Sequence, residues 1–103
     1  MRYFDTHAHI FPDHIVGKVI DVLQDFYGFK WQGKGVVDDL LFRMDEAGVQ
    51  RAVIFSAATK AEQVQAVNHY VAGVVAQHPD RFTGLGSIHP DYPDYEAELA
   101  RIK

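Results

Sequence analysis

The sequence has 103 residues, which is enough for one domain and too few for two. Hydrophobic residues make up 48%, charged residues 23% and aromatic residues 13%, a composition typical of a globular chain and not of a disordered one. The net charge is −4 and no stretch concentrates basic residues, which argues against a nucleic-acid or anionic-membrane partner. Cysteine is absent, which excludes disulfides and thiolate metal ligands. With no signal-peptide core and no run of about 18 apolar residues, we expect a soluble cytoplasmic domain over residues 1–103.

Strands and helices are predicted to alternate along the chain. A strand over residues 2–11 is followed by an amphipathic helix with apolar residues from Ile15 to Tyr27, which ends at Gly28. Residues 28–35 (GFKWQGKG) have no periodicity and are predicted to form a surface loop. The remaining predicted elements are a helix over Val37–Ala47, a short buried strand over residues 51–56, a helix over 61–77, a strand over 82–88 and a helix over 94–102.

This alternation predicts an α/β fold with a parallel sheet, for which two architectures compete. An open doubly wound sheet commonly has a glycine-rich phosphate turn after its first strand, whereas residues 6–13 read THAHIFPD. A (β/α)8 TIM barrel needs about 250 residues, so this chain would hold about three of its strands. Since three strands are predicted, we expect the first three or so β/α units of a TIM barrel, incomplete in this chain.

Of the six histidines, only His7 and His9 have a spacing that suits metal binding. Residues two apart on a strand point to the same side, so both imidazoles could chelate one ion, and Asp5 is expected to share their face. The pair also lies toward the carboxyl end of the first strand, where parallel α/β folds place their sites. The alternative is a chance pair without function. The opposite face of the strand, expected to pack against helices, would carry Phe4, Thr6, Ala8 and Ile10.

Three segments resemble a known family. Residues 5–12 (DTHAHIFP) resemble the first-strand metal motif of the amidohydrolase superfamily, particularly the branch of aminocarboxymuconate-semialdehyde decarboxylase. Residues 41–49 (LFRMDEAGV) with 52–54 (AVI) resemble the second helix and strand of that branch. Residues 78–82 (HPDRF), with Gly84 and Gly86, resemble the start of its third strand. The likeness covers nearly the whole chain.

The resemblance implies a metal-dependent TIM barrel in which His7 and His9 bind a divalent ion, usually zinc. The histidine of a later strand and the aspartate of the last strand, which complete the family's site, have no counterpart in the 103 residues. Two protein ligands are fewer than the three of a typical catalytic zinc. Asp5 could act in the second shell by orienting an imidazole, or could instead accept a backbone hydrogen bond.

We expect a hydrolase in which metal-activated water attacks a C–N or C–O bond of a small-molecule substrate. A non-oxidative decarboxylase of the same fold and a non-catalytic metal-binding or structural α/β module are the alternatives. His89 and Ser56, predicted at the ends of the third and second strands, are candidate substrate contacts. For Trp31, in the glycine-rich loop, packing or a subunit contact is favoured over a binding role.

The predicted sheet would leave strand edges and the apolar residues Val53, Phe55 and Leu85 open. We therefore expect the 103-residue chain to be inactive by itself. A homo-oligomer or the missing carboxyl-terminal part of the same barrel would have to cover this surface.

Overall fold

The computed structural model describes residues 2–30 and 32–103, so the prediction for Trp31 lies outside the described residues. Strands and helices alternate in the predicted order. A 3₁₀ turn (Ala61–Gln63) starts the helical segment that was predicted to begin at residue 61. The elements are β1 (Tyr3–His9), α1 (Val16–Tyr27), α2 (Val37–Ala47), β2 (Val49–Phe55), α3 (Val64–Gln77), β3 (Phe82–Gly84) and α4 (Tyr95–Ile102).

The strands of the described residues form one sheet in the order β1-β2-β3, and both neighbouring pairs are parallel. His9 pairs beside Phe55 at one end of the sheet, and Ala52 pairs beside Phe82 on the other side of β2. The predicted α/β class with a parallel sheet is confirmed. Closure into a barrel stays a prediction.

β3 is shorter than predicted, because regular pairing stops at Gly84 and not at residue 88. One further ladder bond joins the Leu85 N–H to the Ile54 carbonyl at 3.0 Å. Beyond it, the backbone of Ser87 is bound by the side chain of Asn68 on α3. The segment after β3 is therefore held by helix α3 as well as by the neighbouring strand β2.

The hydrophobic core lies on the side of the sheet that the helices cover. Along β2 the side chains alternate, with Ala52 and Ile54 buried and Val53 and Phe55 half-buried. The buried cluster joins the sheet to α2 and α3 and consists of Ala8, Ile10, Met44, Ala52, Ile54, Val71, Val74 and Phe82. Neither α2 nor α3 covers the other side of the sheet, where Leu85 is 52% exposed.

Glycines end the first two helices, as the sequence predicts. At Gly48 the backbone has φ 71°, a left-handed conformation that a residue without Cβ adopts at no steric cost. Its N–H donates to the carbonyls of Asp45 and Met44, which satisfies acceptors that the last turn of α2 would otherwise leave free. The chain can therefore turn directly from α2 into β2.

Among the α-helices of the described residues, α1 is the one without a buried residue, because every residue in it is at least partly exposed. Phe26 is 79% exposed and Val22 is 66% exposed. Phe26 packs edge to face on Tyr27, with ring centroids 5.0 Å apart. Across residues 2–30 and 32–103, no helix has both the length and the apolar character needed to cross a membrane.

Candidate metal centre

The imidazoles of His7 and His9 converge at the carboxyl end of β1. Their Nε2 atoms are 3.1 Å apart, and their ring centroids are 5.1 Å apart. His9 pairs beside Phe55, which lies on the half-buried side of β2, whereas the intervening Ala8 is buried in the core. Strand alternation therefore brings the two histidines together on the side opposite the core.

The distance between the two nitrogens suits chelation of one divalent ion. Zinc binds histidine nitrogen at about 2.0–2.1 Å, and a tetrahedral angle then separates two such nitrogens by about 3.3 Å. The observed 3.1 Å is close to this value. Without a metal, two nitrogens this close form a hydrogen bond, which needs a proton on one Nε2 and none on the other. A metal bound by both nitrogens would replace that hydrogen bond.

The surroundings of His9 favour the form that binds metal. Burial lowers the pKa of the His9 imidazole below its usual value, and the neighbouring His7 lowers it further. Neutral imidazole is the form that binds a metal, so the lowered pKa of His9 favours that form.

The sequence predicts Asp5 on the same face of β1 as His7 and His9, but the structure does not place it there. β1 advances three residues, from Asp5 to Ala8, while β2 advances two, from Ala52 to Ile54. This β-bulge shifts the alternation of β1, so Asp5 pairs beside buried Ala52 and not on the side of His9. Its Oδ1 accepts the backbone N–H of His7 at 2.9 Å. Of the two roles considered for Asp5, this bond supports the backbone acceptor.

The predicted packing of the other β1 face holds for only half of its residues. Ala8 and Ile10 are buried, with Ile10 fully so. Phe4 is 60% exposed and Thr6 is also exposed, which corrects the prediction that they pack against helices. The bulge explains the difference, because Phe4 lies before it and Thr6 within it, so neither side chain continues the alternation that buries Ala8 and Ile10.

The ring of Phe55 packs against the imidazoles of both His7 and His9. Its ring centroid lies 4.8 Å from that of His7 and 4.5 Å from that of His9, each with an interplanar angle of 61°. The sequence predicts Phe55 on the open face but not its contact with both imidazoles. The available signal is its position as the last residue of the strand that pairs with β1.

The two predicted substrate contacts differ in accessibility. His89 follows β3, and its side chain is 22% exposed; its Nδ1 accepts the N–H of Asp91 at 3.2 Å. Ser56 is only 4% exposed, and its contact with a substrate stays a prediction. The Ser56 carbonyl accepts the hydroxyl of Ser87, so this residue ties β2 to the segment after β3.

A buried polar network behind the sheet was missed by the sequence analysis. Asn68 and Glu98 are 3% and 2% exposed, and Asn68 Nδ2 donates to Glu98 Oε1 at 2.9 Å. Arg101 donates to both carboxylate oxygens of Glu98, at 2.6 and 2.8 Å. The only available signal was Asn68 itself, a polar residue at helical spacing between Val64 and Val71.

The histidine pair has no third ligand within the described part of the chain. No group of three or more histidine, cysteine, aspartate or glutamate side chains in residues 2–30 and 32–103 could hold a metal ion. A catalytic zinc typically has three protein ligands and a water. Any complete site built on His7 and His9 would therefore need a ligand from elsewhere.

Comparison with known proteins gives a likeness of fold. The sequence matches no protein-family model and no curated protein. Among solved structures, the chain is similar to 5-carboxyvanillate decarboxylase from Novosphingobium aromaticivorans DSM 12444, whose crystal structure contains manganese and 4-hydroxy-3-methoxy-5-nitrobenzoic acid. The TM-score is 0.65 at 15% sequence identity, over 96% of this chain and 37% of the decarboxylase. The chain therefore has the fold of little more than a third of that enzyme.

Proposed function

We propose that this chain is the amino-terminal part of a metal-dependent decarboxylase of the amidohydrolase superfamily, in which His7 and His9 are two of the metal ligands. The observation that carries the proposal is the convergence of their Nε2 atoms to 3.1 Å at the carboxyl end of β1. The fold likeness to a decarboxylase crystallised with manganese supports a divalent metal and this type of reaction. Manganese and zinc are both candidates.

When bound, a divalent metal would act as a Lewis acid that stabilises negative charge on an oxygen of the substrate. His7 and His9 would hold the ion through their imidazole nitrogens, and the chain provides an apolar wall on the same side of the sheet. Val53 and Phe55 are half-buried on the histidine side of the sheet, and Leu85 is 52% exposed. Such a wall suits an aromatic ring and excludes water from it.

We propose an aromatic carboxylic acid as the substrate. In the reaction the bond between the ring carbon and the carboxylate breaks, carbon dioxide leaves, and the ring carbon keeps the electron pair and takes up a proton. The name of the similar enzyme, 5-carboxyvanillate decarboxylase, supports this substrate class. His89, which is partly exposed after β3, is our candidate for a contact with the substrate.

Hydrolysis of a C–N or C–O bond is the second candidate function. It is favoured by the paired histidines of residues 5–12, since the same motif in the amidohydrolase superfamily serves enzymes that activate water. The two reactions differ in products, because decarboxylation releases carbon dioxide whereas hydrolysis releases an acid with an alcohol or amine.

We further propose that additional strands complete the sheet and cover its open side. β1 and β3 each have only one neighbour among the described strands, and the similar enzyme is well over twice as long as the matched region. The added strands would come from the same polypeptide or from another copy of the chain. They would also supply the remaining metal ligands, so we expect the 103-residue chain to be inactive alone.

The test is an activity assay on the complete gene product, loaded in turn with manganese and zinc. Aromatic carboxylic acids, esters and lactones are offered, and carbon dioxide and hydrolysis products are measured together. We expect carbon dioxide and the decarboxylated ring in equal amounts, with the activity lost in His7→Ala and His9→Ala and kept in His69→Ala. Hydrolysis without carbon dioxide would favour the second candidate, and activity that survives both histidine substitutions would refute both.

A further inference from the structure

Three rings pack against one another at the carboxyl end of β1 and β2. The centroid distances are 5.1 Å between His7 and His9, 4.8 Å between His7 and Phe55, and 4.5 Å between His9 and Phe55. Both contacts of Phe55 are edge-on, an arrangement that aromatic pairs prefer over face-to-face stacking. Phe55 is thus in contact with both side chains whose nitrogens converge.

The backbone fixes the position of Phe55 relative to the histidines. Phe55 is the register partner of His9, and its carbonyl accepts the N–H of Ile10 at 3.2 Å. Ile10 is fully buried, so this bond is anchored in the core. The ring of Phe55 is therefore held by a paired strand end and not by a mobile loop.

The histidines need such support because their own surroundings are open. His7 is exposed and His9 is half-buried, so their side chains would lose conformational freedom on binding a metal. A ring that already packs against both imidazoles removes part of that loss before the metal arrives. Phe11 is a weaker candidate for this role, since its ring lies 6.4 Å from His9 in a stacked arrangement.

We propose that Phe55 is a positioning residue for the metal site, holding the imidazoles of His7 and His9 in the rotamers that bring their Nε2 atoms together. This inference rests on the proposed function, because it takes the two histidines as metal ligands. Phe55 itself donates nothing to the ion. It acts through the orientation of the two rings.

The test measures the affinity of the complete gene product for zinc by competition with a chromophoric chelator. Phe55→Leu keeps an apolar side chain but removes the ring, and we expect binding to weaken between about fivefold and about a hundredfold, as two freed side chains must be ordered. Phe55→Tyr keeps the ring and should bind within about twofold of the parent. Phe82→Leu is the stability control, because Phe82 is buried at 1% exposure in the core. It should lower stability and leave the affinity unchanged.

Nuclear magnetic resonance on the metal-free chain gives a second readout that needs no variant to fold. We expect nuclear Overhauser effects from the Phe55 ring to both imidazoles. Their absence would overturn the inference, as would a Phe55→Leu variant that binds zinc as tightly as the parent. If the parent binds zinc without needing His7 and His9, or binds none, the proposed function fails and the inference fails with it. If zinc binding by the parent needs both histidines but does not need Phe55, the inference is refuted and the proposed function stands.

Discussion

Asn68 on α3 exchanges two hydrogen bonds with the backbone of Ser87: its Nδ2 donates to the Ser87 carbonyl at 2.9 Å, and its Oδ1 accepts the Ser87 N–H at 2.7 Å. The side-chain amide thus makes the pair of bonds that a neighbouring strand would make. Asn68 also donates to Glu98, which Arg101 binds in turn. This network connects α3 and α4 to the segment that leads from β3 to His89.

Replacing Asn68 should destabilise the chain more than replacing an exposed residue of the same helix. Asn68→Ala removes the bonds to Ser87 and Glu98 and leaves buried polar groups without partners, so we expect a loss of about 2–4 kcal/mol. Urea denaturation measures the change, with exposed Gln65→Ala as the control. A loss below about 0.5 kcal/mol would show that the network does not hold this segment.

Glu98 should make the stability of the chain depend on pH in the acid range. The hydrogen bonds from Arg101, and then the one from Asn68, lower the pKa of Glu98 in the folded state. A carboxyl group with a lowered pKa stabilises the fold fully above its unfolded pKa, and this stabilisation is lost as the pH falls through the folded value. The stability difference between parent and Glu98→Gln should therefore be largest near neutral pH and shrink in acid.

Thermal denaturation from about pH 7 to about pH 3 checks this prediction. Glu96→Gln is the control, because Glu96 lies exposed on the same helix. Parallel profiles for the parent and Glu98→Gln would contradict the assigned role of the Glu98 carboxylate.

Gly35 packs closely against Phe11, in the segment that follows His7 and His9. Its carbonyl accepts the N–H of Phe11 at 2.8 Å, and its φ is 74°. A Cβ at this position would lie 2.9 Å from Val16 Cγ2 and 3.3 Å from Phe11 Cδ2. Gly35→Ala should cost about 1–3 kcal/mol in unfolding free energy, from backbone strain and this contact.

Gly33→Ala is the matched control for Gly35→Ala, since a Cβ at Gly33 would meet no atom within 4 Å. Urea denaturation of both variants gives the comparison. Equal stability of the two would mean that the left-handed conformation and close packing at Gly35 carry no cost.

Periodicity in the sequence predicts the helices and the order of the strands. The bounds of α2 are as predicted, since acidic Asp38 and Asp39 lie in its first turn and Gly48 ends it. The side of the sheet taken by His7 and His9 also follows from alternation along β1. These features depend on residues near one another in sequence, where local preferences decide.

Features that depend on pairing between distant segments were predicted less well. The bulge in β1 arises in its pairing with β2, and it moves Asp5 out of the histidine face. Regular pairing of β3 ends at Gly84, and the backbone of Ser87 beyond it is bound by the side chain of Asn68, nineteen residues earlier in the sequence. Neither feature leaves a periodic signal in the sequence. The contact of Phe55 with both imidazoles likewise depends on the register of two strands.

Metal binding by the histidine pair tests the account most directly. Isothermal titration of the complete gene product with zinc, with manganese in a parallel series, should show one ion bound per chain. The binding should be lost equally in His7→Ala and His9→Ala and remain unchanged in His69→Ala, whose substituted side chain is exposed on α3. A His7→Ala/His9→Ala double variant that binds the ion with the parent's stoichiometry and affinity would contradict the account.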